Sequence, residues 1–234
     1  MLARDLYVLN KKKISVFLLI IMIMGIAAAC SQPVMTNEEG MELGEKEQVI
    51  LFEAVSLEEG FVMNKQRLLD LAAAIDSLLK KGGYTQPEIR IIGDNRLRLA
   101  FPDIDQEELD GTKSFIHQSL KLTVRSEEGA IVMERKDFIY GGAFVGFNMD
   151  EEPMVFTTYW DTGKLEAVTN RLTGQSISYY MGEIELISVH IDAPLTGAMA
   201  SIVTKSDVSH AKDIARMINA GSHPIELKEL TGGL

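Results

Sequence analysis

The chain contains one cysteine, Cys30, in 234 residues. A single thiol excludes an internal disulfide, so in an exported protein it needs another explanation. Basic side chains are in deficit: 23 Lys and Arg face 34 Asp and Glu, for a formal charge of −11. Such a surface does not suit nucleic acid, which requires clustered Lys and Arg. After residue 26 no apolar run is long enough to span a bilayer. Catalytic signatures are missing too. The serines Ser188, Ser201 and Ser222 lack a Gly-x-Ser-x-Gly elbow. The Gly pairs at Gly82, Gly141 and Gly232 lack the Lys-Ser or Lys-Thr of a phosphate loop.

The N-terminus carries an address. Arg4 and Lys11-Lys12-Lys13 precede an apolar run at 16–26, then Ala27-Ala28-Ala29-Cys30. A basic head, a short apolar run and small residues form the pattern of a secretory signal. A cysteine directly after the small residues resembles a bacterial lipobox, although Ala27 stands where leucine is commonest. Residues 1–29 are therefore expected to be a signal peptide, with Cys30 the lipidation site. Lipidation also accounts for the lone thiol. Cleavage would remove four basic side chains and one acidic one, taking the charge from −11 to −14. Anionic headgroups repel such a protein, so the acyl anchor would hold it at the extracytoplasmic side of the cell membrane. Residues 30–47, with Glu38, Glu39, Glu42, Glu45 and Glu47, read as a flexible, solvated tether.

The whole chain has the 46% hydrophobic content of a globular protein, a figure that the apolar run at 16–26 inflates. Residues 49–55 predict a strand. Asn64 can cap a helix to residue 80, with Leu68, Leu71, Ala72, Ile75, Leu78 and Leu79 on one face and Gly82-Gly83 as its stop. Residues 88–92 and 96–101 form a hairpin around Gly93-Asp94-Asn95. Asp105 and Glu108 have capping-box spacing for a helix to about His117. Leu120, Leu122 and Val124 then alternate with polar residues as a strand. The order β-α-β-β-α-β is ferredoxin-like. The expectation is an α+β fold: a base at 48–130, an inserted strand-rich α+β head at 131–204, and a return to the base at 205–234.

The punctuation of residues 155–230 is specific. Asp161-Thr162-Gly163 opens a helix with Leu165, Val168 and Leu172 on one face, and Gly174 closes it. Strands at 176–181 and 183–191 flank Gly182 as a hairpin. Ala193-Pro194-Leu195-Thr196-Gly197 breaks the second strand. A helix at 211–221 is expected to stop at Gly221, before Pro224 and a last strand at 225–230.

Candidate chemistry is sparse. Asp103, Asp105, Glu107, Glu108 and Asp110 resemble a calcium loop, but the sixth and twelfth positions are Glu108 and Ser114 rather than Gly and Glu. A helix start explains the same acids through the macrodipole. His117, His190, His210 and His223 lack partners at ligand spacing. His190 and Asp192 point the same way along a strand and are conceivable as a metal or base pair, with a surface position as the plain alternative. His210 is expected to be exposed. Tyr159, Trp160, Tyr179 and Tyr180 read as core or sheet-face aromatics, with a peptide-binding patch as the functional alternative. No cofactor is implied.

The series Asp161-Thr162-Gly163-Lys164, Ile187-Ser188, Pro194-Leu195-Thr196-Gly197 and Ala211-Lys212-Asp213 with Ala220-Gly221 resembles the extracytoplasmic domain of SecD, an accessory subunit of the bacterial export machine. Gly93-Asp94-Asn95-Arg96-Leu97-Arg98-Leu99 with Phe101-Pro102-Asp103-Ile104 is a second match in the family's order. The resemblance implies a base and a head that contacts translocating polypeptide. The family's Asp-Leu-x-Gly-Gly element is absent, with Val55-Ser56-Leu57-Glu58-Glu59-Gly60 in its place, and Met181-Gly182 stands where Asp-Gly is usual. The family's proton coupling runs through membrane segments that follow this domain, so the leading expectation is a non-enzymatic lipoprotein that holds extended or translocating polypeptide at the outer face of the cytoplasmic membrane without proton coupling, with unfolded chains or Sec translocase components as partners. The alternatives are an envelope lipoprotein binding a folded membrane-protein partner, and a hydrolase using Asp161 or the His190/Asp192 pair.

Overall fold

A computed structural model of the chain describes residues 47–204 and 207–230. The expected signal peptide, the expected lipidation site Cys30 and all of the expected tether except Glu47 lie outside the described residues. The first strand, β1 (Glu47–Ser56), leads to α1 (Lys65–Gly82). The Asn64 side chain accepts a hydrogen bond from the Arg67 N–H at 2.9 Å, satisfying one donor of the free first turn. Gly83, at φ 75°, turns the chain out of the helix as a left-handed cap. Leu68, Leu71, Ala72, Ile75, Leu78 and Leu79 are all buried, as their spacing predicts. Each leucine so buried stabilises the fold by about 2 kcal/mol. β2 (Glu88–Ile92) and β3 (Arg96–Pro102) form the expected hairpin. α2 (Gln106–Ser119) starts at Asp105, whose carboxylate accepts from the Glu108 N–H at 2.9 Å.

β4 (Leu122–Ser126), β5 (Ile131–Glu134), β6 (Phe144–Phe147) and β7 (Pro153–Thr158) follow. Then come α3 (Thr162–Arg171), capped by Asp161, and the hairpin of β8 (Ser176–Met181) and β9 (Ile184–His190) around Gly182 at φ 59°. β10 (Met199–Val203), α4 (Val208–Ser222) and β11 (Ile225–Glu229) complete the described fold.

Three antiparallel sheets result, with strand orders β11-β1-β3-β2, β10-β7-β6 and β5-β4-β8-β9. The first is the ferredoxin-like sheet, with one correction. Its fourth strand is β11, not the strand at 120–124. Ala54 pairs with Leu227, and Ser56 with Ile225. β4 instead joins the third sheet between β5 and β8. Alternation of apolar and polar residues marks a half-buried strand but is silent about its neighbour, so two candidates for the same edge look alike in sequence. The helix that packs beside α1 is likewise α4 rather than α2. Everything from α2 to β10 is thus inserted between the third strand and the second helix of the base.

α4 packs beside α1 of the base and against both of the other sheets. It contacts α1, β6 and β7, with further contacts to β4 and β8. Ala211, Ile214, Ala215, Met217, Ile218, Ala220, Gly221 and Ser222 are all buried, leaving a narrow exposed stripe at Ser209, Lys212 and Arg216. Gly221 is not a stop. It lies inside the helix, and a Cβ there would sit 2.3 Å from Met181 Sδ and 2.9 Å from Leu122 Cβ. Glycine is required because α4 crosses β4 and β8 at this point with no room for a side chain. The helix ends one residue later, at Ser222, ahead of His223 and Pro224.

Candidate functional site

The sheet β10-β7-β6 has two unlike faces. Its registers place Val145, Val155 and Ile202 side by side across the three strands, with Thr157 and Ala200 on the same side. Val155, Thr157, Ala200 and Ile202 are buried, on the side where α4 meets β6 and β7. The opposite face carries Phe144, Phe156 and Ser201 in one row, Gly146, Met154 and Val203 in the next, and Thr158 beside Met199. Phe144 is 50% exposed and Met199 48%. The Phe144 and Phe156 rings stack with centroids 5.2 Å apart and planes 13° from parallel. Gly146 makes this plate possible, since a Cβ there would lie 2.6 Å from the Phe156 ring.

None of the residues in β6, β7 and β10 is charged, in a chain where 24% of residues are. An exposed sheet face ordinarily alternates polar residues outward; this one carries no charge on either side and is mostly apolar on both. Exposed apolar patches of this kind mark interaction surfaces. The charge lies just beyond, at the β6–β7 turn, where Asp150, Glu151 and Glu152 are all exposed beside a fully exposed Met149. The Asn148 side-chain carbonyl organises the turn by accepting from the Asp150 and Glu152 N–H groups at 3.0 and 2.8 Å. Glu151 holds a left-handed φ of 61°, unusual for a residue with a side chain.

A second exposed aromatic group lies elsewhere. Trp160, 59% exposed, stands edge-on to Tyr140 at 6.0 Å, and Tyr140 edge-on to Phe61 at 5.6 Å. Tyr140 Oη donates to a Glu58 carboxylate oxygen at 2.6 Å. Burial first, and then that carboxylate, push the phenol up to about 12. The Arg67 guanidinium stacks over Phe61 at 4.4 Å.

The aromatics singled out from sequence therefore separate. Tyr159 and Tyr179 are core residues, packed around Phe138 with their hydroxyls 2.6 Å apart. Tyr180 lies under the Arg125 guanidinium and donates to Glu185. Only Trp160 joins a surface group, and its companions Phe61 and Tyr140 come from distant segments.

The remaining candidates have structural or surface places. The Asp161 carboxylate accepts from the Lys164 N–H at 3.0 Å, as a helix cap. Among the acids read as a calcium loop, Asp105 caps α2, Asp110 accepts from Gln106, and Glu108 accepts from Thr85 Oγ1. Among the described residues no three His, Cys, Asp or Glu side chains gather as a metal set. His190 and Asp192 approach to 3.9 Å, but both are exposed, with no wall to exclude water. Ser188 and Ser201 are exposed on strands, and buried Ser222 donates to the Asn219 carbonyl. His117 stands edge-on to Phe52. His210 is half-buried rather than exposed, its N–H donating to the Asp207 cap. His223 is the residue that sequence reading undervalued. It is 2% exposed, its ring lies 5.5 Å from Phe61, and its Nδ1 has no hydrogen-bond partner. Burial, aided by the Arg67 charge, holds its pKa down at about 4. Its position directly before Pro224, at the end of an apolar helix, was the available sign of burial.

The fold and the uncharged face together define an α+β domain built to present an open sheet. No protein-family model and no curated protein matches the chain. Solved structures do. The crystal structure of SecDF from Thermus thermophilus, described as a translocon-associated membrane protein, superposes with a TM-score of 0.56 at 20% identity, covering 94% of this chain and 35% of that one. A SecDF structure in a super-membrane-facing form matches with a TM-score of 0.42 at 20% identity, over 92% of this chain and 33% of that one. A structure from work on SecDF as a membrane component that enhances protein export matches with a TM-score of 0.41 at 19% identity, over 79% of this chain and all of that one. The chain resembles the SecDF extracytoplasmic domain in fold, and spans about a third of the length of the two longer SecDF chains.

Proposed function

We propose that the protein is a non-enzymatic, membrane-anchored factor with a SecD-like role in protein export. It holds extended or translocating polypeptide at the outer face of the cytoplasmic membrane. Acylation of Cys30 supplies the anchor. The observation that carries this reading is the uncharged, exposed outer face of the β10-β7-β6 sheet, between two strand edges. Extended chains bind such surfaces by adding a strand at an edge and placing alternate side chains on the apolar face. The SecDF fold supports the same reading by analogy of architecture. The test is photo-crosslinking of the membrane-bound protein to an export intermediate stalled in translocation. Labelling well above that of a folded control is expected, and background labelling would overturn the proposal.

One observation favours a second reading. Exposed Trp160, backed by half-buried Tyr140 and Phe61, is a compact aromatic group of the kind enriched where folded proteins meet. An envelope lipoprotein docking a folded membrane-protein partner would use it. A pull-down dominated by one folded partner, unaffected by added unfolded chains, would establish that reading instead.

A further inference from the structure

We infer that the outer face of the β10-β7-β6 sheet selects polypeptide segments in which Lys or Arg residues adjoin an apolar stretch. This rests on the polypeptide-holding role proposed above and adds a location and a preference. The strands supply only apolar and neutral contacts, through Phe144, Phe156, Met154, Met199 and Val203. They offer no cation to a negatively charged guest. Among the described residues at that end of the sheet, the strongly charged feature is the turn bearing Asp150, Glu151 and Glu152, with Met149 projecting beside them. A segment added along the edge strand β6 or β10 brings one of its ends close to that turn. A basic end gains from the three carboxylates, and an acidic end is repelled.

Charge also decides between occupants. At −11 overall, two copies packed face to face would bring like charge together, and an anionic bilayer would be repelled. A cationic, apolar, extended chain meets no such penalty. This chain's own leader, with Lys11-Lys12-Lys13 before the apolar run at 16–26, illustrates the composition.

The experiment uses the full-length protein in vesicles of neutral lipid. A photoreactive amino acid is placed at Phe144, at Met199, or at exposed Leu57 on the β1–α1 loop. The probes are two short peptides of alternating serine and leucine, one ending in two lysines and the other in two glutamates. The lysine peptide is expected to label positions 144 and 199 but not 57. At low salt it should bind about tenfold more tightly than the glutamate peptide, a difference that salt erodes. The combined Asp150→Asn, Glu151→Gln, Glu152→Gln protein should bind the two peptides equally. Gly146→Val, which displaces the Phe156 ring, should weaken both. Labelling at 57 alone would overturn the location and leave the export role standing. Equal binding of the peptides by the unaltered protein would overturn the preference. Crosslinks between two copies through position 144 would make the face a self-association surface and refute the inference. Failure of both peptides at all three positions would refute the inference and the polypeptide-holding role together.

Discussion

The hydroxyl oxygens of Tyr159 and Tyr179 lie 2.6 Å apart in the interior, with Thr157 Oγ1 donating to Tyr159 at 3.1 Å. Tyr159 directly follows β7 and Tyr179 lies within β8, so this polar contact ties the three-stranded sheet to the neighbouring four-stranded one. Burial raises both phenols above their ordinary value, Tyr159 strongly. The folded state therefore keeps both protonated after the unfolded chain has begun to ionise near pH 10. Stability should be level below that pH and fall as pH rises above it. Urea titrations across the alkaline range check this. Tyr179→Phe, which removes one hydrogen bond and leaves Tyr159 its Thr157 partner, should cost about 1 kcal/mol.

His223 titrates in the opposite region. Its folded value of about 4 lies below the ordinary 6.5, so the unfolded chain takes up a proton first as pH falls. The contribution of neutral His223 is fully present above about 6.5, declines through the interval down to about 4, and is level below it. A shift of this size corresponds to roughly 3 kcal/mol at most. His223→Phe should flatten the dependence in that interval. An unchanged slope in equilibrium denaturation would show that other groups produce it.

At Gly221 two effects compete. Alanine is the better helix former by about 1 kcal/mol. Its Cβ would, however, lie 2.3 Å from the Sδ of Met181, which is fully buried. Overpacking of this kind costs about 1–3 kcal/mol, and Leu122 on the other side blocks an easy shift. Gly221→Ala should therefore destabilise. Adding Met181→Ala, which opens the space, should recover part of the loss in a double-mutant cycle.

Cys30→Ala tests the anchor. The processed protein is expected to move from the membrane fraction to the soluble one, and radiolabelled fatty acid should no longer be incorporated. A variant that is cleaved and yet stays on the membrane would refute acylation as the attachment.

Asp161→Ala probes a feature that sequence located well. Loss of its bond to the Lys164 N–H should cost about 1 kcal/mol in thermal or urea unfolding. The fold should remain intact, because Leu165 and Val168 stay buried.

The features legible in sequence were those written within a few residues. Asn64, Asp105 and Asp161 cap the helices they were expected to cap, because a side-chain oxygen reaches an N–H three residues on wherever the helix is. Gly182 turns its hairpin for the same local reason. The candidate site was not legible in this way. Val155 and Phe156 are equally apolar neighbours on β7, yet one is buried on the α4 side and the other stacks with Phe144 on the open face. Phe61, Tyr140 and Trp160 are separated by long stretches of chain, and no spacing rule joins them.

By itself the sequence determined the alternation of helices and strands, the acidic charge, the basic and apolar composition of the residues before Cys30, and the opening β-α-β-β of the base. These follow from backbone capping, side-chain periodicity and composition, which act over a turn or two of chain. Only the tertiary structure decided that β11 rather than β4 closes the base sheet, that Gly221 is a crossing point rather than a stop, and that one sheet is apolar on its open side. Those outcomes depend on which distant surface reaches a given face first and covers it. Burial is settled by close packing among segments far apart in the chain, and a one-dimensional pattern carries the appetite for a partner without naming it.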